Sequence, residues 1–313
     1  MLRRALVLTT ALVAVFFLIR WAFVGGEESV AASSAQTGPV TGTTVTAGAT
    51  VPGAVEPVAS APMPLAEGQR LLGHRAIYDL HLGRSENGSG VAMADGRMVI
   101  EFTDTCDGYS LNQRLQMRLG DGEGGATVTD FRVANWEATD GKRFRFATRH
   151  IVNGEENEAF EGSAQLGPDG SGEAHYTKPE DTVKKLPAGT LFPSMHTIQL
   201  IHAAQASKPI LSGQLFDGSG EELTYDVVGA IGRSGSVTPV SLKGKGLDLL
   251  RDLQSWPVRI AFYPTGSIEE LPEYEVGFRL YANGVSSDMQ LDYGDFSIEA
   301  VLSELDALPK PDC

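Results

Sequence analysis

Two cysteines and six histidines are the side chains in this sequence best suited to redox, nucleophilic or metal chemistry, and their spacing restricts what they can do. Cys106 and Cys313 lie about 200 residues apart and neither has a Cys-x-x-Cys partner, which argues against thiol oxidoreductase work. His74, His81, His150, His175, His196 and His202 include no pair at the three- or four-residue spacing of a helical metal site. No metal ligand set and no cofactor are assigned. A nucleophile elbow is also lacking, because Gly232-Arg233-Ser234-Gly235-Ser236 misses the second glycine in register. Residues 120–125 are glycine-rich but carry Asp121 and Glu123, which repel phosphate, so a hairpin loop is the better reading. What remains is His74, close to Tyr78 and Asp79 at the start of a strand pattern, and His196 at the start of a helix pattern. A His–Asp pair there would suit a hydrolase or isomerase. Against it stands the commoner role of single histidines at element starts, as structural hydrogen bonders, and no catalytic residue is assigned.

The compartment decides what the cysteines do. Arg3 and Arg4 precede an uncharged run from Ala5 to Ile19, and Ser29-Val30-Ala31 offers a cleavage site, so residues 1–31 read as a secretory signal. The run is shorter than the roughly 20 residues of a spanning helix. The alternative is an uncleaved anchor extending through Trp21 and Phe23. No cysteine follows the run, so bacterial lipid attachment at a new N-terminus is not available. Residues 32–66, rich in Ala, Thr, Ser, Gly, Val and Pro with Glu56 as the single charge, read as a disordered linker. Residues 67–313 are then a single folded domain outside the cytoplasm. An oxidising compartment favours a Cys106–Cys313 bridge over two free thiols. The bridge would close a loop worth roughly 5 kcal/mol of chain entropy and keep the last strand from fraying. A net charge of −15 argues against nucleic acid as a partner and against charge-driven docking on anionic lipid. That leaves membrane contact only through an uncleaved N-terminal segment.

The elements that would position these residues are mainly β. Asn-Gly or Asp-Gly occurs at 87, 95, 107, 121, 140, 153, 169, 217 and 283, and these pairs supply the positive φ angles of tight hairpins. Between them the chain alternates: Tyr109, Leu111, Gln113, Leu115, Met117 and Leu119 form one face of a strand, Ser110, Asn112, Arg114, Gln116 and Arg118 the other. The same period runs through 74–82, through Met98, Ile100 and Phe102, and through Phe144 and Phe146. Further strands are predicted at 223–229, 258–263, 274–281 and 286–293. Residues 193–205 break the pattern: Met195, Ile198, Leu200, Ile201 and Ala204 fall near a helical period, Pro193 suits a first turn and Pro209 lies beyond the end. A shorter helix is predicted at 247–253. Residues 296–308 fit either period, and the strand is preferred. The fold class is therefore mainly β, a long antiparallel meander curled into a spiral or incomplete barrel, with one helix against the concave side. Its interior is either a filled core or a cavity for something apolar.

Several strings in order carry a resemblance: His74-Arg75-Ala76-Ile77-Tyr78-Asp79-Leu80, Gly83-Arg84, Cys106-Asp107-Gly108-Tyr109, Leu191-Phe192-Pro193 with His196, and Trp256-Pro257-Val258. Asn283-Gly284-Val285-Ser286, Leu291-Asp292-Tyr293-Gly294-Asp295-Phe296 and Cys313 complete the set. Together they resemble the cell envelope integrity EipB family, periplasmic proteins of Alphaproteobacteria, over residues 67–313. The resemblance implies a spiral-like broken β-barrel with a helix on its concave side, a disulfide matching Cys106–Cys313, a part in maintaining the envelope, and a shape similar to periplasmic lipoprotein carriers. It transfers no catalytic residue. The expected function is that of a non-enzymatic periplasmic protein supporting envelope integrity by binding a protein partner or an apolar ligand, lipid or lipoprotein, at the concave face. Phe192, Met195, Ile198, Ile201 and Trp256 are the candidate contacts. The alternatives are a structural adaptor with a filled core and a histidine-dependent hydrolase using His74 or His196. A cavity beneath residues 193–205 favours the carrier, a filled interior the adaptor.

Overall fold

Short glycine turns fold the chain back on itself again and again, so that each strand pairs with the next. The computed structural model describes residues 70–220, 224–266 and 270–313; the assignments made for 1–31 and 32–66 lie outside the described residues. Strands β1 (His74–Ser85), β2 (Met93–Asp104), β3 (Gly108–Gly120), β4 (Ala126–Ala138), β5 (Arg143–Val152), β6 (Glu155–Leu166), β7 (Gly172–Lys178) and β8 (Thr182–Leu186) form the first half. After β9 (Thr190–Leu191) and helix α1 (Pro193–Gln205) come β10 (Ile210–Leu215), β11 (Tyr225–Ile231), the short helix α2 (Lys245–Asp248), β12 (Ser255–Pro264), β13 (Tyr274–Tyr281), β14 (Ser286–Asp292) and β15 (Phe296–Ala307).

All fifteen strands belong to one sheet, ordered β8 back to β1, then β15 back to β9. Every neighbouring pair is antiparallel except β9 with β10, and β1 joins the halves by pairing with β15 from His74↔Ala307 to Ser85↔Phe296. The two edge strands, β8 and β9, are separated in sequence only by residues 187–189. The sheet therefore curls almost to closure, an incomplete barrel.

Seven of the nine Asn/Asp-Gly glycines adopt positive φ, and Asn153-Gly154 does so at both positions, the backbone of a two-residue hairpin between β5 and β6. Two pairs behave otherwise. Asp95-Gly96 lies inside β2, where a Cβ on Gly96 would come 2.3 Å from the Gln116 carbonyl oxygen, so the glycine serves close strand approach instead of a turn. At Asp107-Gly108 the positive φ belongs to Cys106.

The helix predicted over 193–205 forms with those bounds. The second is shorter than expected: α2 covers Lys245–Asp248, and residues 249–253 continue as tight turns, with Leu249 N–H bonding Gly246 and Leu253 N–H bonding Leu250. Residues 296–307 are strand, because Phe296, Ile298, Ala300 and Leu302 all face inward while β1 and β14 supply backbone partners on both sides. Helix α1 lies against the concave side, its Met195, Ile198, Leu200 and Ile201 buried in one core cluster with residues of β1 to β4 and β11 to β15. A second cluster is largely aromatic and gathers Phe144, Phe146, Phe160, Tyr176, Phe192 and Phe216. Cys106, in the β2–β3 turn, is bonded to Cys313, with Cα atoms 5.7 Å apart. Arg70 braces the same turn, pairing with Asp104 and donating 3.1 Å to the Cys106 carbonyl oxygen.

Candidate functional site

Helix α1 begins where the chain leaves β9 with Phe192 extended (φ −94°, ψ 163°) and Pro193 at the first helical turn, a position where a missing N–H costs nothing. Phe192 has no side chain able to cap the exposed amides. The cap comes instead from β4: the Glu137 carboxylate accepts the backbone N–H of Ser194 at 2.6 Å and of Met195 at 2.9 Å. Glu137 is fully buried. Burial pushes its carboxyl up to about 7, against the downward pull of the Ser194 and Met195 bonds.

Beside this cap the interior opens into a cavity. It measures about 70 Å³ and lies between the start of α1 and the inward faces of β1 to β4. Ile100, Phe102, Tyr109, Leu111 and Phe144 make its apolar wall. Its polar groups are few and buried. Asn135 has no hydrogen-bond partner for either amide atom, and the Ser286 hydroxyl has none. The Ser286 carbonyl accepts the Tyr78 hydroxyl at 2.8 Å. His74 Nδ1 stands 2.7 Å from the Leu72 carbonyl oxygen; since a carbonyl only accepts, that nitrogen carries the hydrogen and Nε2 is the acceptor. Burial lowers the His74 pKa and keeps the ring neutral. Among the described residues, no lysine or arginine lines the cavity.

The five residues expected to contact a ligand lie elsewhere. Phe192, Met195, Ile198, Ile201 and Trp256 are all buried in packed core, and none is on the cavity wall. Phe192 stacks on Phe144 at 4.9 Å, while the other four join the main cluster. It is Pro193, Ser194 and Thr197 of α1 that face the cavity. The most apolar positions of α1 close-pack because they gain most from leaving water, which leaves Pro193, Ser194 and Thr197 to the cavity. Sequence reasoning missed Asn135, Glu137 and Ser286. A signal was present: in β4, Thr129, Phe131, Val133, Asn135 and Glu137 share one face, so two polar side chains fall in phase with the apolar positions.

A histidine-dependent hydrolase would need an imidazole held by a carboxylate next to a hydroxyl. His74 is held by a backbone carbonyl, Asp79 pairs with Arg97 at 3.0 Å, and the fully buried His196 has an unpartnered Nε2. Among the described residues the imidazole–carboxylate contact is His175 with Glu173, 3.8 Å apart on the exposed surface. The described residues contain no group of three or more His, Cys, Asp or Glu able to hold a metal ion.

This fold and its cavity can be set beside known proteins. The EipB-like family model matches residues 65–309. The chain belongs to the EipB-like family. It is 36% identical over 240 residues to the cell envelope integrity protein EipB of Brucella abortus (strain 2308), an overlap of 76% of this chain and 84% of that one. It is also similar to a crystal structure from Brucella abortus described as a beta-barrel-like protein of a domain of unknown function, DUF1849, with a TM-score of 0.70 and 35% identity over 77% of this chain and all of that one. For this EipB-like chain the curled meander is thus shared with a relative of known structure.

Proposed function

We propose that this chain is a non-enzymatic periplasmic protein that supports cell envelope integrity by binding an apolar ligand, a lipid or the acyl chain of a lipoprotein, in the cavity beside the start of α1. The observation that carries the reading is an opening lined by unpartnered polar groups, Asn135 and Ser286. Buried polar atoms without partners are costly, so a site that retains them is suited to a visitor that supplies the partners. The address is supported by the charge-free run 5–19 after two arginines, by the Cys106–Cys313 bond and by the envelope role named for the Brucella relative.

A second reading is favoured by a different observation. The apolar face of α1 is wholly packed, which suits an adaptor that docks a protein on its outer surface. The two separate in one experiment: native purification of the full chain from the periplasm, followed by mass spectrometry for retained lipid, with Thr197→Phe as the comparison. The carrier reading expects lipid on the native chain and its loss when the phenyl ring fills the cavity. Lipid-free native protein, or equal lipid on both, would overturn it.

A further inference from the structure

The polar lining also restricts the head of any occupant, an inference that rests on the cavity being a ligand site. A helix N-terminus ordinarily attracts anions through its free amides and dipole. In α1 those amides are already taken, because Glu137 accepts from both Ser194 and Met195. Above pH 7, where Glu137 is ionised, the helix has an internal anion, and a second carboxylate or a phosphate beside it would meet like charge in a low-dielectric setting with no lysine or arginine among the described wall residues to offset it. What stands open is neutral. Asn135, 7% exposed, presents an amide with both donor and acceptor unpartnered, Ser286, 4% exposed, presents a free hydroxyl, and His74 presents Nε2 as an acceptor.

We infer that the cavity takes an amphiphile with an uncharged hydrogen-bonding head, an amide or a hydroxyl, and discriminates against carboxylate and phosphate heads. Asn135 is the principal recognition group, because a primary amide satisfies its donor and acceptor together. Glu137 is the excluding group, positioned by α1 and not in need of a ligand.

The test is calorimetric titration of the full chain at pH 8 with three probes sharing one chain length: decanamide, 1-monodecanoylglycerol and decanoate. The neutral pair should bind at least roughly tenfold more tightly than decanoate. Asn135→Leu should weaken decanamide by about tenfold and leave decanoate unchanged, and Glu137→Gln should strengthen decanoate by a similar factor. Decanoate binding as tightly as decanamide, or decanamide indifferent to Asn135→Leu, overturns the head-group assignment and leaves the carrier reading standing. Failure of all three probes to bind overturns both.

Discussion

Two parts of one interior, built by consecutive strands of the same sheet, solve packing in opposite ways. In the aromatic part, Phe144 stacks on Phe192, Phe146 meets Phe216 edge-on at 5.7 Å, and Tyr176 meets Phe146 at 5.1 Å. The rings sit so close that Gly218 (φ +72°) can carry no side chain: a Cβ there would lie 2.2 Å from the Phe146 ring. In the other part, on the far side of Phe144, the wall holds Asn135, Glu137 and Ser286 around a space, and the turn carrying the Cys106–Cys313 bond joins β2 and β3, two of its wall strands. Dispersion and burial hold the first region; a covalent tie and a helix cap hold the second. The difference teaches that alternation builds a curled sheet, while the few polar residues in phase with it decide where the sheet stays open.

The largest effect should come from cutting the tie. Cys106→Ser releases a loop closed across a sequence separation of 207 residues and should cost about 5 kcal/mol, read from urea unfolding under oxidising conditions. Added reductant should abolish the gap between the two proteins. Equal midpoints for both proteins without reductant would mean that packing alone holds the cavity region, erasing the contrast. Next, Phe216→Ala removes the ring shared by Phe144, Phe146, Tyr176 and Phe192 and should cost about 4 kcal/mol. A loss under 1 kcal/mol would show that this region is no better packed than its neighbour.

The Glu137 cap should make the cavity region sensitive to pH. Burial raises its folded pKa to about 7 from an ordinary 4.5, so the folded chain keeps a proton that the unfolded chain releases. The stability contributed by the neutral acid is complete below about pH 4.5 and is lost as pH rises through 7, a change on the order of 3 kcal/mol. His150 and His196, lowered by burial to about 4, slope the other way between pH 4 and 6.5. The informative quantity is therefore the difference between the native chain and Glu137→Gln from pH 5 to 8. The native chain should lose ground over that range, and parallel profiles would refute the assignment. The smallest effect has the opposite sign. Asn135→Leu replaces two unpartnered buried polar atoms by methyl groups and should raise stability by about 1 kcal/mol, the mark of a residue kept for something other than folding. A loss of stability would mean that Asn135 holds the fold together after all.

Most of the meander was legible. The Asn-Gly and Asp-Gly pairs, the alternation in residues 109–119 and the proline-led helix at 193 are local signals, and local sterics enforce them. Asp95-Gly96 misled because glycine serves both turns and close strand approach, and only the partner strand tells which. The five candidate contacts lie off the cavity wall for a similar reason. Ile198 and Ile201 look like a greasy lining on a helix considered alone, yet against the curled sheet they fill it, and the helix residues facing the cavity are Pro193, Ser194 and Thr197.

What the amino-acid order determined unaided was the run of strands, most of the turns between them, the bounds of α1 and the pairing of two cysteines left with no other partner. Those follow from interactions between residues near in sequence, or from simple scarcity. Only the tertiary structure decided that Glu137 caps a helix 57 residues downstream, that Asn135 and Ser286 share a wall, and that the space between them is not filled. Each of these depends on which strands end up as neighbours once the sheet curls, and on volumes summed over many side chains, quantities that no short stretch of chain carries.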